Sequence, residues 1–541
     1  MDFFFNEPNR VVDQVLGALA RSAPLIVAEP GSGVRILARA DWRSEQVAVL
    51  SGGGAGHEPS HAGFVGRGML TAAVSGEVFA SPSVAAVLAG LRHCCGKPGA
   101  LLVVKNYTGD RLNFGLAAEQ ARREGLHVRT VIVADDIALA DASQPRGIAG
   151  TVLLHKYAGH LAERGLALDE LADRAEHFAS QLLSLGMTLS SCTLPGHPIE
   201  RRSPELGLGI HNEPGAEQVA PKDAAEAVAL VLTPLLAAAE QRYGEQRRLI
   251  VMLNNLGGCS TQELAVLTDE LLTRIGVERI ALLVRPAPLM TSLDMHGFSI
   301  TLLPAEDDYV EALSSVVDAA AWPGICRPHA AQTFAVVAES DAEPGVGQRN
   351  PANEQAIQRI TTALRAAEQQ LDQLDARSGD GDAGSTFAAG AKAVDGKLAK
   401  GALSSAEPAR LNDELGRLLA HAMGGSSGVL LSILFMATGT ALTAGKSWPD
   451  ALLDGIERVQ HYGGAKLGDR TMLDALIPAV QVLPQGLAAA ATAARAGAEH
   501  TATITRARAG RSAYVPEHAL AGAVDPGAEA VALAFAALAV G

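Results

Sequence analysis

Apolar and polar positions along this chain follow one register up to about residue 335 and another from residue 354 onward. Residues 9–20 carry apolar positions at helical spacing, and short apolar runs then alternate with helix-like segments. Val47 to Leu50 is one run, stopped by Ser51-Gly52-Gly53-Gly54-Ala55-Gly56-His57. Leu101 to Val104 is a second, ending in Lys105-Asn106-Tyr107-Thr108-Gly109-Asp110, and Val128 to Val133 is a third, followed by Ala134-Asp135-Asp136. With a helix over 113–124 between them, these runs predict βαβ units and a mostly parallel sheet. Ligands collect beyond the carboxyl ends of such strands, where all three runs place Gly, Asp, Lys or His. A second strand-rich block takes in 249–253, 280–284 and 299–303, so this part divides into two α/β subdomains with a boundary near 190–215.

Residues 336–353 are polar, contain Pro344 and Gly345, and lack periodicity, which predicts a linker. From Glu354 the strand runs disappear. Ala- and Leu-rich segments of roughly 15–20 residues, separated by glycine turns, predict an all-α domain over 354–541 with functional loops at one end. An α/β domain over 1–335 followed by an all-α domain is the expected architecture.

Composition narrows the function classes. The chain has 541 residues and a formal charge of -15, which argues against general binding to nucleic acid or a membrane surface. An anionic substrate stays open, because a bound cation reverses the local field. Five cysteines without C-x-x-C spacing predict free thiols in a reducing compartment. The N-terminus has neither the basic segment nor the long apolar core of a signal peptide, and Val429 to Leu442 has only the length of a buried core helix. A cytoplasmic protein is expected.

The densest chemistry lies in Leu374-Asp375-Ala376-Arg377-Ser378-Gly379-Asp380-Gly381-Asp382-Ala383-Gly384-Ser385-Thr386. Asp380 and Asp382 flank Gly381, so a tight turn can aim both carboxylates at one point. Asp375, on the last turn of the preceding helix, can supply a third ligand to a hard cation such as Mg²⁺ or Ca²⁺. The residues that follow can offer N–H and O–H donors to phosphate at a helix start. The bland alternative is a solvated turn rich in Asp and Gly. Gly379, Gly381 and Gly384 fit a bare G-x-G-x-x-G, but a helix rather than a strand precedes them. Ala444-Gly445-Lys446-Ser447 fails as a P-loop because Thr440 stands where its first glycine belongs.

Three further loops join this reading: Gly424-Gly425-Ser426-Ser427-Gly428 ahead of an apolar helix, Gly468 to Asp474, and Gly510 to Tyr514 with Asp525-Pro526-Gly527. Together they resemble the rim of one nucleotide pocket. In the first domain His57 closes the glycine loop, His61 follows about one helical turn later, and Asp110 ends a similar strand loop. A His57/Asp110 pair would suit deprotonation of a hydroxyl. His211, between Gly209 and Gly215 in a non-helical loop, reads equally as a metal ligand or a turn residue when taken alone.

Over nearly its whole length the chain resembles the ATP-dependent, single-chain dihydroxyacetone kinases. The resemblance rests on Asn6 to Val12, Gly52 to Gly66, Phe79 to Ser83, Asn106 to Asp110, Gly209 to Gly215, the carboxylate loop, Gly468 to Asp474 and Gly510 to Tyr514. It implies an α/β substrate domain of two subdomains followed by an eight-helix barrel that binds nucleotide. It implies that His211 adds to the substrate carbonyl, that Gly54, Ala55, Gly56, His57, Lys105 and Asp110 contact the triose, and that His57 and Asp110 assist proton removal. Asp375, Asp380 and Asp382 are the implied Mg²⁺ ligands. Ala383, Gly384, Ser385, Thr386, Ser426, Ser427, Gly463, Met472, Arg511, Asp525, Pro526 and Gly527 are the implied ATP contacts. A small ketose is the implied partner, with no nucleic acid or membrane, and a homodimer is the expected assembly. Kinases for erythrulose or related ketoses share these motifs, some animal relatives also cyclise a flavin dinucleotide, and a ketone-sensing binding protein is the alternative of a different class. The retained aspartates favour the enzyme.

Overall fold

A computed structural model describes residues 3–29, 31–139, 144–193, 203–211, 213–336 and 348–540. The chain forms two compact units, Met1–Thr333 and Phe334–Gly541. Within the predicted linker, 337–347 lie outside the described residues, as do 194–202 and Asn212 within the predicted subdomain boundary.

The first unit holds two sheets. The first contains β1 (Leu25–Val27), β2 (Ile36–Arg39), β3 (Ala48–Ala55), β4 (Ala72–Val78), β5 (Ala100–Lys105) and β6 (Val128–Val133), in the order β1-β2-β4-β3-β5-β6. β4, β3, β5 and β6 are parallel neighbours, as the apolar runs predict, while β1 and β2 add antiparallel edges. The chain leaves β3 for β4 on one side and reaches β5 on the other, so the glycine loop after β3 sits where the strand order reverses, the usual ligand position.

The second sheet contains β7 (Leu183–Thr188), β8 (Glu205–Leu206), β9 (Glu217–Gln218), β10 (Leu249–Asn255), β11 (Ile280–Pro288), β12 (Gly297–Pro304) and β13 (Ile325–Cys326). It differs from the mostly parallel expectation: only β10 and β11 run parallel among its paired strands. A helix links β10 to β11, but eight residues link β11 to β12, too few for a crossover, so the chain turns back.

Helices of this unit are α1 (Val11–Ser22), α2 (Val84–Cys94), α3 (Thr108–Arg123), α4 (Thr151–Glu163), α5 (Leu168–Gln181), α6 (Ala224–Tyr243), α7 (Thr261–Ile275) and α8 (Asp307–Ser314). Capping explains several starts: Ser83 accepts from Ala86, Asp223 from Glu226, and Ser260 with Glu263 forms a reciprocal capping box. The main core runs through both sheets. Val49, Leu101 and Val103 of the first, Val152 and Tyr157 of α4, Phe178 of α5, and Ile250, Met252 and Leu303 of the second form one buried cluster.

The second unit is helical: α9 (Pro351–Ala366), α10 (Glu368–Asp375), α11 (Ala383–Ala399), α12 (Pro408–Ala422), α13 (Gly425–Thr443), α14 (Trp448–Gly463), α15 (Leu473–Val482), α16 (Leu487–Thr501), α17 (Glu517–Leu520) and α18 (Pro526–Ala539). The eight longer helices touch in sequence order, and α18 returns to α9, so the ring closes. Arg359 in the middle of α9 reaches the Ala537 carbonyl near the end of α18, and Gln370 of α10 reaches Glu529 near its start, so α18 runs antiparallel to α9. Two described helices, α6 and α13, are long and apolar enough to cross a membrane. Here α6 packs on β7 and β12, and α13 packs between α12 and α14.

Candidate functional site

In the first unit the glycines of β3 let backbone pass close over polar side chains. A Cβ on Gly53 would lie 2.4 Å from Lys105 Nζ, and one on Gly56, whose φ is +95°, would lie 2.7 Å from the Phe79 ring. A Cβ on Gly54 would meet the Phe79–Ala80 backbone.

His57 is fully buried. Its Nδ1 lies 2.8 Å from the Thr291 carbonyl, which can only accept, so the ring proton sits on Nδ1 and Nε2 keeps its lone pair. Nε2 faces His211 Nε2 at 3.1 Å. On the far side of His211, Nδ1 lies 3.2 Å from Glu213 Oε1, while Oε2 accepts the His211 backbone N–H at 3.0 Å. Burial pushes the Glu213 carboxyl up, but hydrogen bonds from the His211 ring and backbone N–H help to hold it below its ordinary value. Glu213 is therefore an acceptor for His211 Nδ1–H, and the two Nε2 atoms face each other. Rings of Phe79 and Tyr107 wall the pair, with centroids 5.2 Å from His57 and 4.5 Å from His211.

Lys105 and Asp110 lie behind the glycine strand, both buried, with Nζ 3.3 Å from Asp110 Oδ2. Two sequence readings change here. Asp110 does not end a strand loop but stands in the first turn of α3, which begins at Thr108 rather than near 113, because Thr-Gly-Asp fits a helix start. His61 lies on a turn rather than a helix and meets Lys105, not His57. Among the described residues no hydrogen bond joins His57 to Asp110; Asp110 instead pairs with Lys105. Ala55 is the last residue of β3 and is buried in the core.

Burial, followed by nearby positive charge, holds His57 and His61 well below the ordinary histidine value and His155 at about 3. In the unfolded chain these rings titrate near 6.5. The unfolded state then binds more protons below that pH, so stability is complete above about 6.5 and falls as pH drops. Three such rings give a slope approaching about 4 kcal/mol per pH unit. Melting of the first unit is therefore expected to drop steeply between pH 6.5 and 5. A calorimetric trace flat over that window would refute it.

In the second unit, the connections α10–α11, α12–α13, α14–α15 and α16–α18 all line one cavity. Asp375 ends α10, and its Oδ2 accepts the backbone N–H groups of Gly381 (3.0 Å), Asp382 (3.1 Å) and Ala383 (3.3 Å). That anchor folds the loop back, with Gly381 at φ +81°. One carboxylate oxygen from each of Asp375, Asp380 and Asp382 then lies within 4.8 Å of the others. Three hard oxygen donors around one point fit Mg²⁺. The Arg511 guanidinium pairs with Asp380 at the cavity wall.

Beside this cluster α13 begins at Gly425 without a side-chain cap, leaving backbone donors for an anion, whereas at the start of α11 the N–H groups of Ala383 and Ser385 are already given to Asp375 and Asp372. Ala383, Thr386, Ser426, Ser427, Met472, Arg511, Asp525, Pro526 and Gly527 all line the cavity. Gly384, Ser385 and Gly463 do not. A Cβ on Gly384 would lie 1.9 Å from the Glu368 carbonyl, so that glycine serves the close packing of α10 on α11. Ser385 gives both its N–H and its hydroxyl to Asp372, each at 2.9 Å. Gly463 ends α14 and lies behind Leu430, which itself lines the cavity.

Sequence reading assigned no role to Glu213, Thr291, His155 or Arg470. Glu213 is signalled by its place two residues after His211. Arg470 lines the cavity of the second unit with its side chain buried; Nη2 donates to the Ala523 carbonyl at 2.8 Å, and Nε and Nη1 have no hydrogen-bond partner among the described residues.

A histidine pair over a buried Lys–Asp pair, and a carboxylate triad beneath helix starts, define a two-part protein equipped for a polar metabolite and a metal-bound phosphate. The Dak1 domain family matches residues 17–321 and the DAK2 domain family matches 377–540. Dihydroxyacetone kinase of Citrobacter freundii is 46% identical over 551 residues, covering 99% of each chain. The triokinase/FMN cyclase of Bos taurus is 39% identical over 555 residues, covering 96% of this chain and 95% of its own. The crystal structure of the C. freundii kinase in complex with AMP-PNP and Mg²⁺ superposes with a TM-score of 0.80 at 44% identity, covering 100% of this chain and 99% of that one. The chain belongs to the dihydroxyacetone kinase family.

Proposed function

We propose that the protein transfers the γ-phosphoryl group of ATP to a hydroxyl of dihydroxyacetone, giving dihydroxyacetone phosphate and ADP. The orientation of His211 carries this reading. Glu213 engages Nδ1–H, which leaves Nε2 on the opposite side of the ring, facing His57 Nε2, on a side chain still 20% exposed. An imidazole so turned can add to a ketone carbonyl: the N–C bond forms, the carbonyl π pair moves to oxygen, that oxygen takes one proton from solvent, and the alkylated ring gives up its Nδ1 proton through Glu213, so the hemiaminal is neutral. The resulting hemiaminal holds a small polyol that has little apolar area to bury. A ligand on His211 lies beside His57 Nε2, a neutral acceptor suited to take the proton of the attacking hydroxyl. Gly54, Ala55 and Gly56 carry the strand past the substrate, and Lys105 with Asp110 sets the charge beneath it.

Asp375, Asp380 and Asp382 would hold Mg²⁺, which when bound offsets the charge of the transferred phosphoryl group. The uncapped start of α13, with Ser426 and Ser427, would cradle phosphates, beside Ala383 and Thr386 at the start of α11. Gly463, Met472, Arg511, Asp525, Pro526 and Gly527 complete the proposed nucleotide contacts, Gly384, Ser385 and Gly463 by supporting the lining residues. The relatives' names and the AMP-PNP complex of the Citrobacter kinase support the reading.

Measuring kcat/KM over C3 and C4 ketoses, with glycerol as control, tests it. Dihydroxyacetone should be phosphorylated and glycerol refused; comparable rates on both would sink the proposal. A cytoplasmic homodimer is the assembly proposed with it, and a light-scattering mass near that of a single 55.8 kDa chain would overturn that part.

A further inference from the structure

Lys105 ends β5, and its ammonium has two hydrogen-bond acceptors, the Gly52 carbonyl at 3.2 Å and His61 Nε2 at 2.9 Å, and an ion pair with Asp110 Oδ2 at 3.3 Å. An ammonium can only donate, so His61 Nε2 accepts and the ring proton of His61 sits on Nδ1. That Nδ1 faces His155 Nε2 at 2.9 Å. His155 therefore accepts as well and carries its own proton on Nδ1. The charge at Lys105 fixes both tautomers. The chain then ends blind, because His155 Nδ1 is buried and has no hydrogen-bond partner among the described residues. Ser51 Oγ, which donates to the Val103 carbonyl at 2.8 Å, lies 3.5 Å from His61 Nδ1 and leaves this order unchanged.

We infer that His61 and His155 are positioning residues for the ketose site, a one-way acceptor chain that pins the Lys105 ammonium beside Asp110. The role of Lys105 and Asp110 rests on the function proposed above; the tautomers do not. Neutral rings suit this task for an electrostatic reason. A carboxylate in place of His61 would compete with Asp110 for the ammonium, whereas an imidazole lone pair accepts a hydrogen bond and adds no charge. The rings are 4% and 0% exposed, so water offers neither an alternative partner. Burial keeps both from taking a second proton, which would turn an acceptor into a donor and push the ammonium away. A buried donor without a partner is destabilising. Its presence at His155 Nδ1 is explained once the other ring nitrogen must accept.

Nitrogen-15 NMR of the full chain labelled at histidine reads the tautomers directly. His61 and His155, assigned through the loss of signals in His61→Gln and His155→Gln, should both be neutral Nδ1–H rings from pH 8 down to pH 5. Kinetics supply the second arm. His155→Met fills the space but cannot accept from His61 in the same way, and kcat should fall about 10- to 100-fold, the range seen when outer hydrogen-bond partners of a site are removed. KM for dihydroxyacetone should change little. His155→Gln places an amide oxygen where Nε2 stands, and it should recover most of kcat. Thermal melts establish that both variants are folded. An Nε2–H or doubly protonated His61 in the wild-type protein would overturn the inference. So would folded Met and Gln variants that lose kcat equally, or a Met variant with wild-type kcat. A wild-type protein without ketose kinase activity would instead sink the proposed function, and the NMR arm would still decide the chain.

Discussion

Asp380→Asn and Asp382→Asn are each expected to lower turnover by about 10²–10⁴-fold while the helical unit stays folded, the equivalent of roughly 3–5 kcal/mol of lost transition-state stabilisation. Asparagine keeps the shape and one oxygen but removes the charge that draws a divalent cation to the phosphates. Both side chains are exposed, and neither caps α11, so the fold loses little. Asp375 differs, because its Oδ2 holds three backbone N–H groups of the loop. Asp375→Asn is expected to disturb the turn as well as the cation. Steady-state turnover against Mg²⁺ concentration, with melting curves for each variant, checks the contrast. Near-normal turnover in both the 380 and 382 variants would remove the metal assignment.

His211→Ala and His57→Ala are expected to fail in opposite ways. Hydroxyls exchange bonds to water for bonds to protein at a net gain of only about 1 kcal/mol each. Without the nucleophilic Nε2, ketone capture should weaken strongly, seen as a large rise in KM, while some transfer survives at high substrate. His57→Ala should leave capture in place and slow transfer by roughly 10²–10⁴-fold, the range for a positioned acid–base group. Carbon-13 NMR of carbonyl-labelled dihydroxyacetone on the protein can look for the bond to the His211 ring, seen as a tetrahedral carbon in place of the carbonyl signal. Unbonded dihydroxyacetone in the wild-type pocket, together with efficient glycerol phosphorylation, would overturn covalent capture.

Periodicity revealed the long buried strands well. The run Val128 to Val133 is β6 end to end, and the runs at 101–104 and 249–253 sit inside β5 and β10. β4, with the sequence AAVSGEV, escaped notice because small residues and a glycine give no apolar signature; neighbouring strands bury its first residues. The carboxylate loop was legible because its ligands are close in sequence. The Lys105–His61–His155 chain was not, since it joins β5, a turn and α4. A histidine within Leu153-Leu154-His155-Lys156-Tyr157 looks like any residue of a core helix. Gly384 and Ser385 show the reverse case: motif position marked them as ligand contacts, yet one is needed for helix packing and the other is tied to Asp372.

The closed ring of the second unit leaves its two ends together, opposite the loops that line the cavity. α9 and α18 are antiparallel neighbours, so the first and last helices meet at the face formed by the α11–α12, α13–α14 and α15–α16 connections. A short peptide could join the ends, and the chain could be opened at any of those three connections without severing a lining loop. Circular permutants of the helical unit should therefore keep the cavity, whereas a cut between α10 and α11 or between α12 and α13 should destroy it. The order of helices along the chain is, for this half of the protein, separable from the site it builds.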